Sequence, residues 1–343
     1  MSTDPTAGHR TPPRPTMKDV AAVAGVGLKT VSRVVNGEPG VSPEMAGRVQ
    51  RAIQQLGFRR NDSARLLRTG TTASIGLLLE DIGDPFSSAL SRAVESVAAE
   101  HGCLLFTGSS AQSADREREL ALAFCARRVE GLIIVPAGRD HRYLQPEAGS
   151  GLPIVFLDRP AETIAADTVL SDNAGGARTA VAHLIRHGHR RIGFLGDLPH
   201  LHTCRQRERG YREAMAAAGL PVEPDWVRTG PTDRARVAAA VQRLLDGPEP
   251  VTALFSGNNR ITVGVLHALA ARPDRPALVG FDDLELGDLL RPGLTVVAQD
   301  PAELGTTAAR LLFERLRHGP GPVRRVEVPT RLIVRGTGET GPS

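Results

Sequence analysis

Apolar and polar positions change rhythm along this chain. From Thr16 to Leu56 the apolar residues recur at three- and four-residue spacing. Val20, Ala21 and Ala24 share one side of a helix that Thr16 can cap, and Gly25-Val26-Gly27 breaks it. A second short helix is predicted over about 28–35, with Val31 and Val34 turned inward and Asn36-Gly37 ending it. Ser42-Pro43-Glu44 opens a third, combining a capping hydroxyl, a proline at the first helical position and an acid near the positive end of the dipole. Two short helices joined by a glycine turn, with a third closing the core, predict a helix-turn-helix arrangement; an ordinary three-helix bundle with an exposed basic helix is the plainer alternative.

After Thr72 short apolar runs alternate with amphipathic stretches. Runs at 73–79, 103–107, 131–136 and 154–157 read as buried strands, with helical patterns near 86–100 and 115–128. A second series has strands at 191–195, 251–255 and 277–281, with helices near 175–187, 205–218, 234–245 and 260–271. Near-continuous apolar strands alternating with helices predict parallel sheets covered on both faces. Two such series predict two lobes with a cleft at the carboxyl ends of the strands. The expected fold is therefore an all-α helix-turn-helix headpiece (16–60), a linker (61–72) and an α/β core of two parallel-sheet lobes (73–336).

Length agrees with several domains, and no run approaches the ~18–20 apolar residues of a membrane span. Residues 1–15 are polar and rich in Pro and Thr, and read as a disordered leader on a cytoplasmic, nucleoid-associated protein; 337–343 read as a flexible tail. Cys103, Cys125 and Cys204 are scattered, without a C-x-x-C pair, so neither a disulfide framework nor a zinc ribbon is indicated. Charge changes the picture more. Residues 1–72 carry eleven Lys and Arg against five Asp and Glu, a net +6, and the remainder carries −2 of the total +4. A basic front end on a slightly acidic body suits contact with a polyanion, although a solvated surface fits the charge alone equally well.

The outer face of the second helix holds Leu28, Lys29, Ser32 and Arg33. Lys29 and Arg33 stand four apart, so both can enter one groove and address base edges. The run Thr16-Met17-Lys18-Asp19-Val20-Ala21, then Ala24-Gly25-Val26, Thr30-Val31-Ser32-Arg33-Val34-Val35-Asn36 and Val41-Ser42 resembles the headpiece of the lactose-repressor (LacI/GalR) family. The resemblance implies that Leu28, Lys29 and Arg33 read bases, and that Thr16, Thr30, Ser32, Asn36 and Ser42 contact or orient on phosphates, with Met17 among the DNA-facing positions. Gly27 departs from it, standing where the family usually has a capping serine. The resemblance also gives 61–70 a role beyond a plain linker: a short helix that forms only when paired with its dimer mate on DNA. Asn61 would cap it, Leu67 would wedge into a minor-groove base step, and Ala64 would pack beside it.

The body resembles the periplasmic-binding-protein-like core of the same family. That implies crossings between an N-lobe (about 73–170 and 301–328) and a C-lobe (about 171–298 and 329–336). Polar residues just past strand ends are the cleft candidates: Asp158, Asn258-Asn259, Asp282-Asp283 and Gln299-Asp300, with Arg207. The family's effector-contacting positions match Asp158, Arg207, Asn258, Asp282 and Gln299 in order, with Phe86 as an apolar wall. Converging acids, amides and an arginine suit a polyhydroxylated ligand, because each hydroxyl can donate and accept. A sugar or sugar derivative is expected; a nucleobase or another small metabolite acting as corepressor is the alternative.

His183, His187 and His189 lack an acid or cysteine to complete a metal site, and no nucleophile elbow, phosphate loop or zinc-protease motif is present. Neither cofactor nor metal is expected. The predicted protein is a DNA-binding repressor acting as a homodimer on a palindromic double-stranded operator under control of a small effector, away from membranes. A solute-binding protein or an enzyme on a similar core is the competing class; the headpiece argues against the first and the missing catalytic constellation against the second.

Overall fold

The structure, a computed structural model, describes residues 15–58, 74–160, 162–270 and 272–342. The chain divides into two compact units, residues 1–72 and 73–343. The hinge positions Asn61, Ala64 and Leu67 lie outside the described residues.

In the first unit α1 (Met17–Ala24), α2 (Leu28–Asn36) and α3 (Pro43–Leu56) form the expected helices. Thr16 and Asp19 cap α1 reciprocally, Asp19 accepting from the Thr16 backbone N–H at 2.7 Å while Thr16 Oγ1 accepts from Asp19 N. Gly25 then turns the chain in the left-handed region (φ +61°), and its carbonyl accepts from Arg48 Nη2 on α3 at 3.0 Å. Val20, Ala24, Val31, Val49 and Ala52 form the buried centre. Ser42 caps α3 through Met45 N, with Pro43 at its first position. At α2 Gly27 supplies no side-chain cap.

The second unit contains two six-stranded sheets. The first takes β1 (Ser74–Leu79), β2 (Leu104–Ser109), β3 (Leu132–Ile134), β4 (Ile154–Leu157), β5 (Asp167–Ser171) and β11 (Arg325–Val328), in the order β11-β5-β4-β3-β1-β2, all parallel. The second takes β6 (Ile192–Gly196), β7 (Val227–Thr229), β8 (Ala253–Ser256), β9 (Ala277–Phe281), β10 (Thr295–Ala298) and β12 (Arg331–Ile333), in the order β12-β10-β9-β8-β6-β7. Here β12 runs antiparallel to β10, a departure from wholly parallel lobes. It follows from the last crossing, which brings the chain back from β11 after two residues. β11 leads to the boundary between the lobes like its parallel neighbours, so the chain enters the second lobe there and β12 runs away from the boundary that β10 runs towards.

Helices α4 (Pro85–Glu100) and α5 (Ala114–Ala126) cover the first sheet, with a short α6 (Gln145–Gly149) at one end. Around the second lie α7 (Asn173–Arg186), α8 (His202–Ala217), α9 (Arg234–Asp246) and α10 (Asn259–Leu269). After β10 the chain returns to the first lobe through α11 (Pro301–His318), which buries Leu304, Ala308 and Leu312 with Leu90 and Val94 of α4 in one cluster. Among the described residues no helix is long and apolar enough to cross a membrane.

The segment expected to be a flexible tail is instead tied to the second lobe. Thr337 exchanges hydrogen bonds with Leu278, Gly293 and Thr295, while Glu339 lies 2.5 Å from His183 Nε2. His189 bridges Thr252 Oγ1 (2.9 Å) and the Thr340 carbonyl (2.7 Å). Two of the three histidines thus clasp the chain end. The acidic neighbour of His183 comes from 156 residues away, beyond any local motif.

Candidate functional sites: a basic helix and an interlobe cleft

On α2, Leu28 (45% exposed) and Lys29 stand clear of the core, and Arg33 is half-buried one turn further on. Thr30, Ser32 and Asn36 are half-buried; the Asn36 amide donates to Ser32 Oγ at 3.2 Å and to Glu38 at 3.3 Å. Thr16 and Ser42 are exposed caps, so their hydroxyls face solvent at helix N-termini, where anions are favoured. Met17 packs against the small core.

In the second unit Phe86, Asp158, Arg207, Asn258, Asp282 and Gln299 all line one cavity between the lobes. Strand ends build it, as open parallel sheets dictate. Asp158 follows β4 and Asp282 follows β9, and both adopt the left-handed region, φ +65° and +73°, unusual for a residue with a side chain. Each is held there alike: Asp158 N donates to Val169 O and Asp282 N to Val297 O, both at 2.8 Å. These turns aim one carboxylate from each lobe at the cavity.

Arg207 on α8 is 5% exposed. Its Nε donates to Asn173 Oδ1 (2.8 Å), its Nη1 to Gly257 O (2.5 Å), and the guanidinium lies 3.8 Å from the Phe281 ring centre. Asp282 lies 3.9 Å from that guanidinium and accepts from Gln299 Nε2 at 2.5 Å. Asn258 caps α10 through Ile261 N. Asp283 and Asp300, the partners in the doublets, turn elsewhere: Asp283 pairs with Arg335 at 2.5 Å and Asp300 caps α11.

The sequence reading left out several cavity residues. Glu80 at the end of β1 pairs with Arg159 Nη2 at 2.5 Å, and Arg159 also donates to Pro136 O. Asp197, after β6, accepts from Asn258 Nδ2 at 3.0 Å. Asp84 caps α4 and accepts from Asn259 Nδ2 at 3.0 Å, a direct bond from one lobe to the other. Glu80 and Asp197 obey the strand-end rule that found Asp158, so the signal was present. Burial is the first cause raising the pKa values of Asp84, Asp158 and Asp197. For Asp158 the value reaches about 6, since Asp282 and Glu80 add to burial while Arg159 and Arg207 oppose it.

Comparison with known proteins agrees with this geometry. Residues 16–61 match the model for bacterial regulatory proteins of the lacI family, and 181–337 match the periplasmic binding protein-like domain. Catabolite control protein A of Priestia megaterium is 31% identical over 93% of this chain and 98% of its own. The solved complex of the transcriptional regulator CelR with cellobiose is 31% identical, with a TM-score of 0.71 over 94% of this chain and all of that one. The lac repressor dimer bound to operator and the anti-inducer ONPF gives a TM-score of 0.84 at 25% identity, covering 96% of this chain and all of that one. With matches of this extent at both ends of the molecule, the chain belongs to the lacI family of bacterial regulatory proteins and is a helix-turn-helix transcriptional regulator.

Proposed function

We propose that the protein is a repressor that grips a palindromic operator as a homodimer and is controlled by a sugar or sugar derivative in the interlobe cleft. The observation that carries the effector reading is the convergence of Asp158, Arg207, Asn258, Asp282 and Gln299, from both lobes, on one cavity. Such a site satisfies hydroxyls that both donate and accept, and a relative of this chain is solved with cellobiose. Phe86 is the sole aromatic lining residue among the described residues, which disfavours a nucleobase needing two stacking faces. Leu28, Lys29 and Arg33 read bases; Thr16, Met17, Thr30, Ser32, Asn36 and Ser42 hold the helix on the backbone.

Exposed apolar residues support the dimer. Leu104 (66% exposed) and Phe106 stand on β2, the edge strand of the first sheet, and Leu286 and Leu289 are equally open on the second lobe. Effector binding then shifts how the lobes sit together, and with it the operator affinity. A footprint on the promoter next to the protein's own gene, with and without candidate sugars, tests the reading. A protected palindrome that responds to a sugar is expected, and Lys29→Ala with Arg33→Ala should abolish it. Protection of no palindrome at any ligand setting would overturn it.

A further inference from the structure

Resting on the sugar-effector reading, the cavity's own imbalance says more about its ligand. Glu80, Asp84, Asp158, Asp197 and Asp282 line it, against only two well-buried cations, Arg159 and Arg207; Arg260 is 46% exposed at the rim. Arg159 is taken by Glu80 at 2.5 Å, with Asp158 at 3.6 Å, and Arg207 lies nearest Asp282. Asp84 and Asp197 are held by neutral amides, those of Asn259 and Asn258. Among the described residues neither has a cationic side chain within ion-pairing distance.

Hydrogen bonding tilts the same way. Asp158 Oδ1, Asp197 Oδ1 and Gln299 Oε1 are buried acceptors with no hydrogen-bond partner among the described residues, against one such donor in the cavity, Arg159 Nε. Both aspartates are more than nine-tenths buried. A buried acceptor without a donor is costly, and a buried carboxylate without a cation more so. Hydroxyl groups would satisfy the oxygens and leave the charge. An ammonium group satisfies both, whereas a phosphate or carboxylate would add to the excess.

We infer that the effector is an amino sugar, a polyhydroxylated ligand with a positive charge, and that Asp197 is the residue that receives its ammonium group. Asp197 is the better partner than Asp84, whose carboxylate accepts from both Asn259 and the Phe86 backbone. It is also better than Asp158, which already faces Arg159. Burial is the first cause raising the pKa values of Asp84 and Asp197, and at Asp197 the more distant Arg159 and Arg207 oppose it without reversing it.

The test uses the full-length protein and matched sets of the common aldopentoses and aldohexoses: the parent sugar, its amino counterpart, the N-acetylated amino sugar and the sugar phosphate. Melting shifts find binders and calorimetry ranks them. The amino member should bind at least tenfold tighter than its parent, its N-acetylated form and its phosphate. Acetylation keeps the nitrogen and removes the charge, so this comparison needs no protein variant. Asp197→Asn should erase the advantage of the amino form over its own parent sugar. A parent or phosphate that binds as tightly as the amino form, or an advantage that survives Asp197→Asn, overturns the inference and leaves the sugar reading standing. If no member of any set shifts melting, the inference falls, and the sugar reading stands or falls by the operator footprint.

Discussion

Asp158 shows how a single residue can be costly to the fold and suited to a ligand. Its carboxyl has a pKa of about 6 in the folded protein against 3.8 ordinarily, with burial as the main cause. A raised acid takes up a proton on folding, so its contribution to stability is full below about pH 4 and is lost as pH rises through 6. The rise from 3.8 to about 6 corresponds to roughly 3 kcal/mol. Asn tolerates the left-handed backbone and carries no charge. Asp158→Asn should therefore melt several degrees above the native protein at pH 8, with the gap closing towards pH 4; equal melting at pH 8 would show that burial does not penalise this carboxylate. Arg207 behaves in the opposite sense, since Asn173, Gly257 and Asp282 all depend on its fork-shaped donors. A lysine offers one compact ammonium and cannot span these partners. Arg207→Lys is expected to lose roughly 2–4 kcal/mol in urea unfolding, together with the effector response, because buried partners are left unmatched. Unfolding and dose response both unchanged would remove Arg207 from the site.

Among the headpiece helices, α2 is the one that begins without a side-chain cap, where α1 has Thr16 and α3 has Ser42. Gly27 precedes it without a side-chain cap, and a Cβ placed there meets nothing within 4 Å. Gly27→Ser should fit, add a few tenths of a kcal/mol of helix stability and place a hydroxyl at the N-terminus of the helix proposed to enter the groove. Operator affinity should rise severalfold, with the slope of log affinity against log salt unchanged because serine displaces no counterion. Titrations at several salt concentrations measure both quantities, and an unchanged affinity would show that the missing cap costs nothing. How much of the molecule could be read from its sequence also varies by element. The headpiece helices were legible because caps and glycine stops are local signals, and β1, β4, β8 and β9 because they are apolar but for a serine at one end of β1 and of β8. β5, running Asp167–Ser171, is wholly buried yet carries Asp167, Thr168 and Ser171, so its sequence does not look like a core strand. Its Asp167 is matched by Arg315 at 2.8 Å, from α11, a partner far along the chain. The edge strands β7, β11 and β12 are short and charged, and Asp300, which its place after β10 makes a cleft candidate, caps α11 instead. In the cavity, Asp197 stands alone between Gly196 and Leu198 and is inconspicuous, whereas Glu80-Asp81 is a polar doublet past β1 of the same kind as Asp282-Asp283.

For the core as a whole, the question is what the ligand adds to lobes that already touch. Asn259 bonds Asp84 across the cleft, and beyond the cavity Arg205 on α8 reaches Glu162 of the first lobe at 3.4 Å. Glu162 also accepts from Arg139 of its own lobe at 2.5 Å. A contact made between lobes favours the arrangement in which both sets of cavity residues can hold one ligand. Removing it lowers the population of that arrangement, and apparent affinity falls by the same fraction. The Arg205–Glu162 pair is partly exposed, and such pairs contribute at most about 1 kcal/mol. Glu162→Ala should therefore weaken effector binding by about twofold to fivefold, although Glu162 does not line the effector cavity. Arg205→Ala should act likewise, and the double variant should cost no more than the larger single one, because both remove the same bond. Linkage supplies an internal control: whatever factor the effector applies to operator affinity, operator DNA must apply to effector affinity, and calorimetry with and without DNA measures it. Single losses that add in full would show that the pair does not act as a unit. An effector affinity that rises in both variants would mean that the ligand prefers the lobes apart.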